Sequence, residues 1–279
     1  MIPFWFIFPA VALATFIPAY LALFVVSKLR FVQLKYLAAA GVGLAFWFFF
    51  DAMGDAVSLG ENNSIYPAYL FGGLPHLVLI GSFVAGLAAL AVFDSLAVPG
   101  PGSSRRASAS FLLIPVAVAL VMGIHGLGEG WDAVSGVSSG PATTLTGLPA
   151  LIQAYGTFPA VVSYPIHKFL EASIVGIVYA VFSLRPRGWN GHWWEVGLLG
   201  LCFAGPSAVG AALGYFFSLD TTYFFAFGGA AALYAALRLG EGLAKSSAGD
   251  EWTPAPFGVK VFVAMGVGLL LLYGAALLH

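Results

Sequence analysis

The sequence predicts an all-α fold: a polytopic membrane protein of eight transmembrane helices. Three observations carry this prediction. Of the 279 residues, 60% are hydrophobic and only 8% are charged. A soluble domain carries about 25% charged residues, and so few charges cannot cover a water-facing surface, so lipid must be the solvent for most of the chain. Apolar stretches of about 20 residues, the length that crosses a bilayer, recur eight times. Lysine and arginine gather in alternate connections between those stretches.

The spans follow in order. Span one is Phe4–Val26; no basic stretch precedes it, and its apolar run is longer than a signal-peptide core, so it reads as a retained span. Span two, Leu34–Leu59, closes on FFFDAMGDAVSLG with Asp51 and Asp55 four residues apart. Span three, Ala68–Leu96, contains His76, and the Pro/Gly/Ser-rich stretch Ala97–Ser110 after it reads as a flexible linker. Span four, Phe111–Val137, and span five, Leu151–Leu184, hold most of the chemistry discussed below. Span six, Trp193–Leu219, carries Gly210 and Gly214 in a GxxxG arrangement that lets another helix approach closely. Spans seven and eight are Thr222–Ala244 and Phe257–Leu278. Pro115, Pro165 and Pro206 are candidate kinks in spans four, five and six. Pro165 also frees the Val161 carbonyl for a site or a water. Residues 1–279 read as a single transmembrane domain.

The basic residues predict the orientation. Lys28, Arg30 and Lys35 surround the first connection, Arg105 and Arg106 lie in the third, and Arg185 and Arg187 in the fifth. Arg238, Lys245 and Lys260 flank the seventh, while the even-numbered connections carry Glu61 and Asp220 and no lysine or arginine. The positive-inside rule places the basic side in the cytoplasm. Both termini then face outward, in a cell membrane, and an even number of spans agrees in placing them on the same side.

Net charge of −1 makes nucleic acid an unsuitable partner. The lone cysteine, Cys202, excludes an intrachain disulfide. What remains is a set of polar residues inside apolar spans, where each costs several kcal/mol unless paired, hydrated or bound to an ion. Span four reads IHGLGEGWD, with His125, Glu129 and Asp132 at i, i+4 and i+7. At about 100° per residue these share one helix face. Span five reads PIHKFLEAS, placing His167 and Glu171 at i, i+4. Two consecutive spans offering imidazole and carboxylate can surround one ion, and mixed nitrogen and oxygen ligation suits zinc, iron and manganese. The other reading is a pair of His–Glu contacts that only holds helices together. Asp51 and Asp55 repel on one face, which favours a cation or proton between them, on an ion path or at a water-facing helix end. Lys168 lies about 100° from both ligand faces and reads as outside the site, although a lysine so near would weaken cation binding. His76 reads as a packing residue, and His192, in GWNGHWWE, belongs to an interfacial aromatic belt.

These motifs resemble those of the ZIP (Zrt/Irt-like) metal transporters, nearest to the prokaryotic branch. HGLGEG is similar to the family's HNxPEG, and HKFLEA to its HKxPEG or HExPHE. GPSAVGAALGYFF and FFAFGGAAALYAALRLGEG are similar to the sixth and seventh spans, and DAMGD sits where members often carry HxxPE. The resemblance covers about residues 34–278. It implies eight helices with both termini outside. It also implies a metal site of His125, Glu129, His167 and Glu171, with import of zinc, iron, manganese or cadmium as substrate. Members often form homodimers, and spans one, four, five and six are thought to move against the rest. The chain departs from the pattern at Gly126, Gly128, Leu170 and Ala172, and at Asp51 and Asp55; Asp132 is an extra acid that compensates for the missing asparagine.

Two rivals remain. An intramembrane metal hydrolase needs a third suitably placed ligand and an open coordination position; the chain offers no third histidine there and no intramembrane HExxH, so it reads as no enzyme. A non-transporting metal sensor or structural protein is the other. A retinal protein is excluded on position, because Lys168 lies in span five rather than a final span.

Overall fold

The computed structural model describes residues 1–63, 73–97, 107–139, 144–184, 187, 191–248 and 258–277. Among these residues there are nine α-helices and no strand. They are α1 (Phe4–Lys28), α2 (Leu34–Asn63), α3 (Gly73–Ala97), α4 (Ala107–Asp132), α5 (Gly147–Tyr155), α6 (Phe158–Tyr179), α7 (Trp193–Gly214), α8 (Thr222–Ala248) and α9 (Val259–Ala276). All but α5 are long and apolar enough to cross a membrane, which makes the chain an integral membrane protein. Arg105, Arg106, Arg185 and His279 lie outside the described residues, as do the side chains of Glu61, His76 and Lys245.

The predicted fifth span is corrected: it is two helices, α5 and α6, meeting at a bend. Gly156 takes φ +84°, a left-handed conformation that stops α5. Thr157 then caps α6, its Oγ1 accepting the Ala160 N–H at 3.1 Å, and Pro159 fits the first turn, where no amide donor is needed. Pattern reading of hydrophobicity alone runs through such a break because both sides are apolar. Span four likewise ends at Asp132 rather than Val137, and span six at Gly214 rather than Leu219. Helix α4 begins at Ala107, inside the expected linker.

The helices pack in two groups. One joins α1, α4, α6 and α7; the other joins α2, α3, α8 and α9. They meet where α4 lies on α8 and α3 and where α6 lies on α2 and α9. Helix α6 is the most buried, whereas α3 and α9 lie at the periphery. Outward-facing Leu13, Ile17, Val84, Leu201 and Leu270 are exposed, as lipid-facing side chains are.

The tightest seam, α4 on α7, is built on glycine. A β-carbon on Gly210 would collide with the Leu127 carbonyl, and one on Gly130 with the Ser207 carbonyl. Backbones therefore approach directly, which in lipid replaces the missing hydrophobic drive with dispersion contact. At one end of the bundle the N-terminus is clipped to the segment after α4: Ile2 donates to the Val137 carbonyl at 3.1 Å and Leu145 to the Met1 carbonyl at 3.1 Å. At the other end sit Lys28, Arg187 and Arg238, the last two paired with Glu195 and Asp94.

Candidate metal centre

The polar cluster forms where α4 and α6 meet between the two helix groups. His167 lies about two and a half turns into α6, well inside the span. The i, i+4 spacing in α4 sets His125 Nε2 3.5 Å from Glu129 Oε1. The same spacing in α6 sets His167 Nε2 2.9 Å from Glu171 Oε1. Crossing of the helices brings His125 Nε2 to 3.7 Å from Glu171 Oε1. One donor atom from each of His125, Glu129 and Glu171 lies within 4.8 Å of the others, close enough to share an ion. From α2, Asp51 Oδ2 approaches His167 Nε2 at 3.6 Å.

Packing fixes the imidazole of His125. The rings of Phe48 and Phe225 meet it edge-on at centroid distances of 4.8 and 4.7 Å. Gly228 of α8 leaves the space its β-carbon needs. Its Nδ1 is buried without a hydrogen-bond partner, while Nε2 faces both glutamates. The donor set thus suits a borderline divalent ion: one constrained imidazole nitrogen, two carboxylates and a second imidazole behind them.

Lys168 enters the site, contrary to the sequence reading. It is buried, and its Nζ pairs with Glu129 Oε2 and lies 2.5 Å from Glu171 Oε2. The carboxylates therefore present one oxygen each to the imidazoles and the other to the ammonium. A helical wheel places the lysine Cβ off the ligand face, but its long stem brings the charge back. The signal was in the sequence: a lysine inside an apolar span needs a counterion. Tyr164, whose ring lies 5.6 Å from Lys168 Nζ, continues the polar layer, its hydroxyl 3.2 Å from Thr15 Oγ1, itself 3.3 Å from Ser207 Oγ. None of these three was singled out from sequence, because a hydroxyl in an apolar span is common.

A cavity of about 430 Å³ leads from this cluster toward the end of the bundle that holds the N-terminus. Asp51, Asp55, Glu129 and Asp132 line it, together with His167, Tyr155 and Tyr164. Asp132 is not brought into the ligand group. Its carboxylate accepts from Thr221 Oγ1 at 3.0 and 2.9 Å and lines the cavity wall nearer the helix end. Asp55 lines the same wall, one turn beyond Asp51.

Donors from four residues on two helices, with Asp51 of a third beside them, lie at an acid-walled cavity and could hold a cation. Compared with protein-family models and with curated proteins, the chain matches none.

Proposed function

We propose that the chain carries divalent metal ions, zinc, iron, manganese or cadmium, across the membrane toward the cytoplasm, as a diverged relative of the ZIP transporters. One observation carries the reading: His125, Glu129 and Glu171 hold donor atoms within 4.8 Å of one another, deep in the spans, at the inner end of an acid-lined cavity. The ion sheds water along Asp132, Asp55 and Asp51, then takes His125, Glu129, Glu171 and His167 as ligands. With neutral imidazoles, Asp51, Glu129 and Glu171 set three negative charges against the one positive charge of Lys168. A single divalent ion balances that difference. The ammonium holds the carboxylates together before the ion arrives and yields their oxygens to it afterwards.

The two helix groups support movement as the release step. The ligands on α4 and α6 belong to one group, and Asp51 on α2 to the other. Sliding one group against the other carries the ion away from Asp51 and the open cavity. The basic residues orient the cavity outward, so transport runs inward.

The Lys168 bridge also favours a second reading, a closed ion-pair layer that binds no metal and only holds α4 to α6. Uptake into proteoliposomes loaded with a fluorescent zinc chelator separates the two. Wild-type protein raises the signal above protein-free vesicles, and Glu129→Ala with Glu171→Ala abolishes the rise at equal protein content. Equal signals from wild-type and empty vesicles reject transport.

A further inference from the structure

Helix α5, nine residues long, is too short to cross a membrane, yet its last turn walls the cavity that leads to the metal centre, through Ala154 and Tyr155. Its hold on the bundle is slight. It packs chiefly on α6. Ala150 is its one buried residue, seated with Leu151, Ala154 and Tyr155 in a small apolar cluster apart from the main core. A helix this short is marginal unless packing supports it. Its N-terminus gains nothing from Thr146, whose side chain makes no cap bond, in contrast to Thr157 at the start of α6.

Both ends of α5 turn on glycine. Gly147 takes φ +68° and Gly156 φ +84°, and a β-carbon on either would meet no atom within 4 Å. Backbone rotation at these two points therefore meets no packed neighbour, which is the property of a hinge.

The residue beside the second hinge is Tyr155. Its hydroxyl is buried and has no hydrogen-bond partner among the described residues. Its ring lies 4.9 Å from that of Tyr164, one turn before His167 on α6. An unpaired buried hydroxyl is costly. Water bound to a cation points its protons outward, and a phenol oxygen can accept one of them while donating its own proton to a carboxylate. Glu129 shares the cavity wall with it.

We propose that α5 is a lid hinged at Gly147 and Gly156, and that Tyr155 closes it by accepting a hydrogen bond from the water shell of a cation in the cavity. This rests on the cavity being an ion path. The lid then shuts behind an ion that has entered, and it opens when the cavity empties.

The test is hydrogen exchange followed by mass spectrometry, on the full chain in lipid nanodiscs, in chelator and in zinc sufficient to saturate each variant in competition with a fluorescent chelator. In chelator, the amides of α5 exchange at least about a hundredfold faster than those of the buried turns of α6, as a locally opening segment does. Zinc slows α5 by about tenfold in wild type, the scale of one hydrogen bond to a charged group. Tyr155→Phe removes the slowing, and Gln153→Ala, at an exposed position on the same helix, keeps it. Exchange of α5 as slow as that of α6 in chelator overturns the proposal without any variant, as does slowing that persists in Tyr155→Phe. Zinc binding without slowing overturns the lid alone, whereas no zinc binding at all overturns the metal reading and the lid with it.

Discussion

Lys168→Met removes the buried cation that bridges Glu129 and Glu171. At an effective dielectric constant of about 20, the 2.5 Å approach of Lys168 to Glu171 corresponds to about 7 kcal/mol of Coulomb attraction before desolvation is subtracted. Removing one partner of a buried pair costs about 3–5 kcal/mol, because the other charge stays buried and unmatched. Here two carboxylates are left, Glu129 and Glu171, with their imidazole contacts intact. At about 2–4 °C per kcal/mol for a chain of this size, Tm falls by roughly 10 °C. The assay is thermal unfolding in detergent, followed by tryptophan fluorescence, in chelator and in excess zinc. A divalent ion supplies the missing positive charge, so zinc at about 100 times its Kd restores about 2.7 kcal/mol, most of the loss. Wild-type protein gains less, because its ammonium competes for the same oxygens. If Lys168→Met melts within 2 °C of wild type, or if zinc leaves its Tm unchanged, the charge-matching argument is refuted.

Three further outcomes follow from individual contacts. Gly210→Val drives a side chain into the Leu127 carbonyl and should cost at least about 3 kcal/mol, whereas Gly54→Ala, with open space around it, should be neutral or stabilising; Tm in detergent compares them. Gly156→Ala forces a β-carbon into the left-handed region at φ +84° and should cost about 1–2 kcal/mol, with Thr157→Ala adding about 1 kcal/mol through the lost cap. Asp132→Asn should change zinc affinity by less than about threefold, since Thr221 already holds that carboxylate away from the ligand group, whereas His125→Ala should weaken it by about a hundredfold in competition with a fluorescent chelator.

The spans were legible because lipid imposes one strong rule: a helix that crosses must be apolar over its whole length. Seven of the eight expected spans match a single long helix within several residues of the described ends. Span five failed because hydropathy does not register backbone conformation; Gly156 and Thr157 end and restart a helix without changing the apolar content. The His125–Glu129 and His167–Glu171 contacts follow from four-residue spacing, which puts side chains one turn apart on one face. Their meeting across α4 and α6 required a helix crossing that spacing alone does not contain. Lys168 and Asp132 err in opposite directions. The wheel angle put Lys168 outside, yet its flexible stem bends back to two carboxylates. The wheel put Asp132 inside, yet a seventh residue lies about 10 Å along the axis from His125, where Thr221 offers a nearer partner.

Location of zinc by anomalous scattering tests the central claim most directly. Crystals of the purified chain, grown with zinc and measured on both sides of its absorption edge, should give an anomalous peak about 2.0–2.2 Å from His125 Nε2 and from oxygens of Glu129 and Glu171. That peak should vanish in Glu171→Ala. An absent peak at that point in the zinc-grown wild type, with Lys168 still joining the two glutamates, would contradict the account.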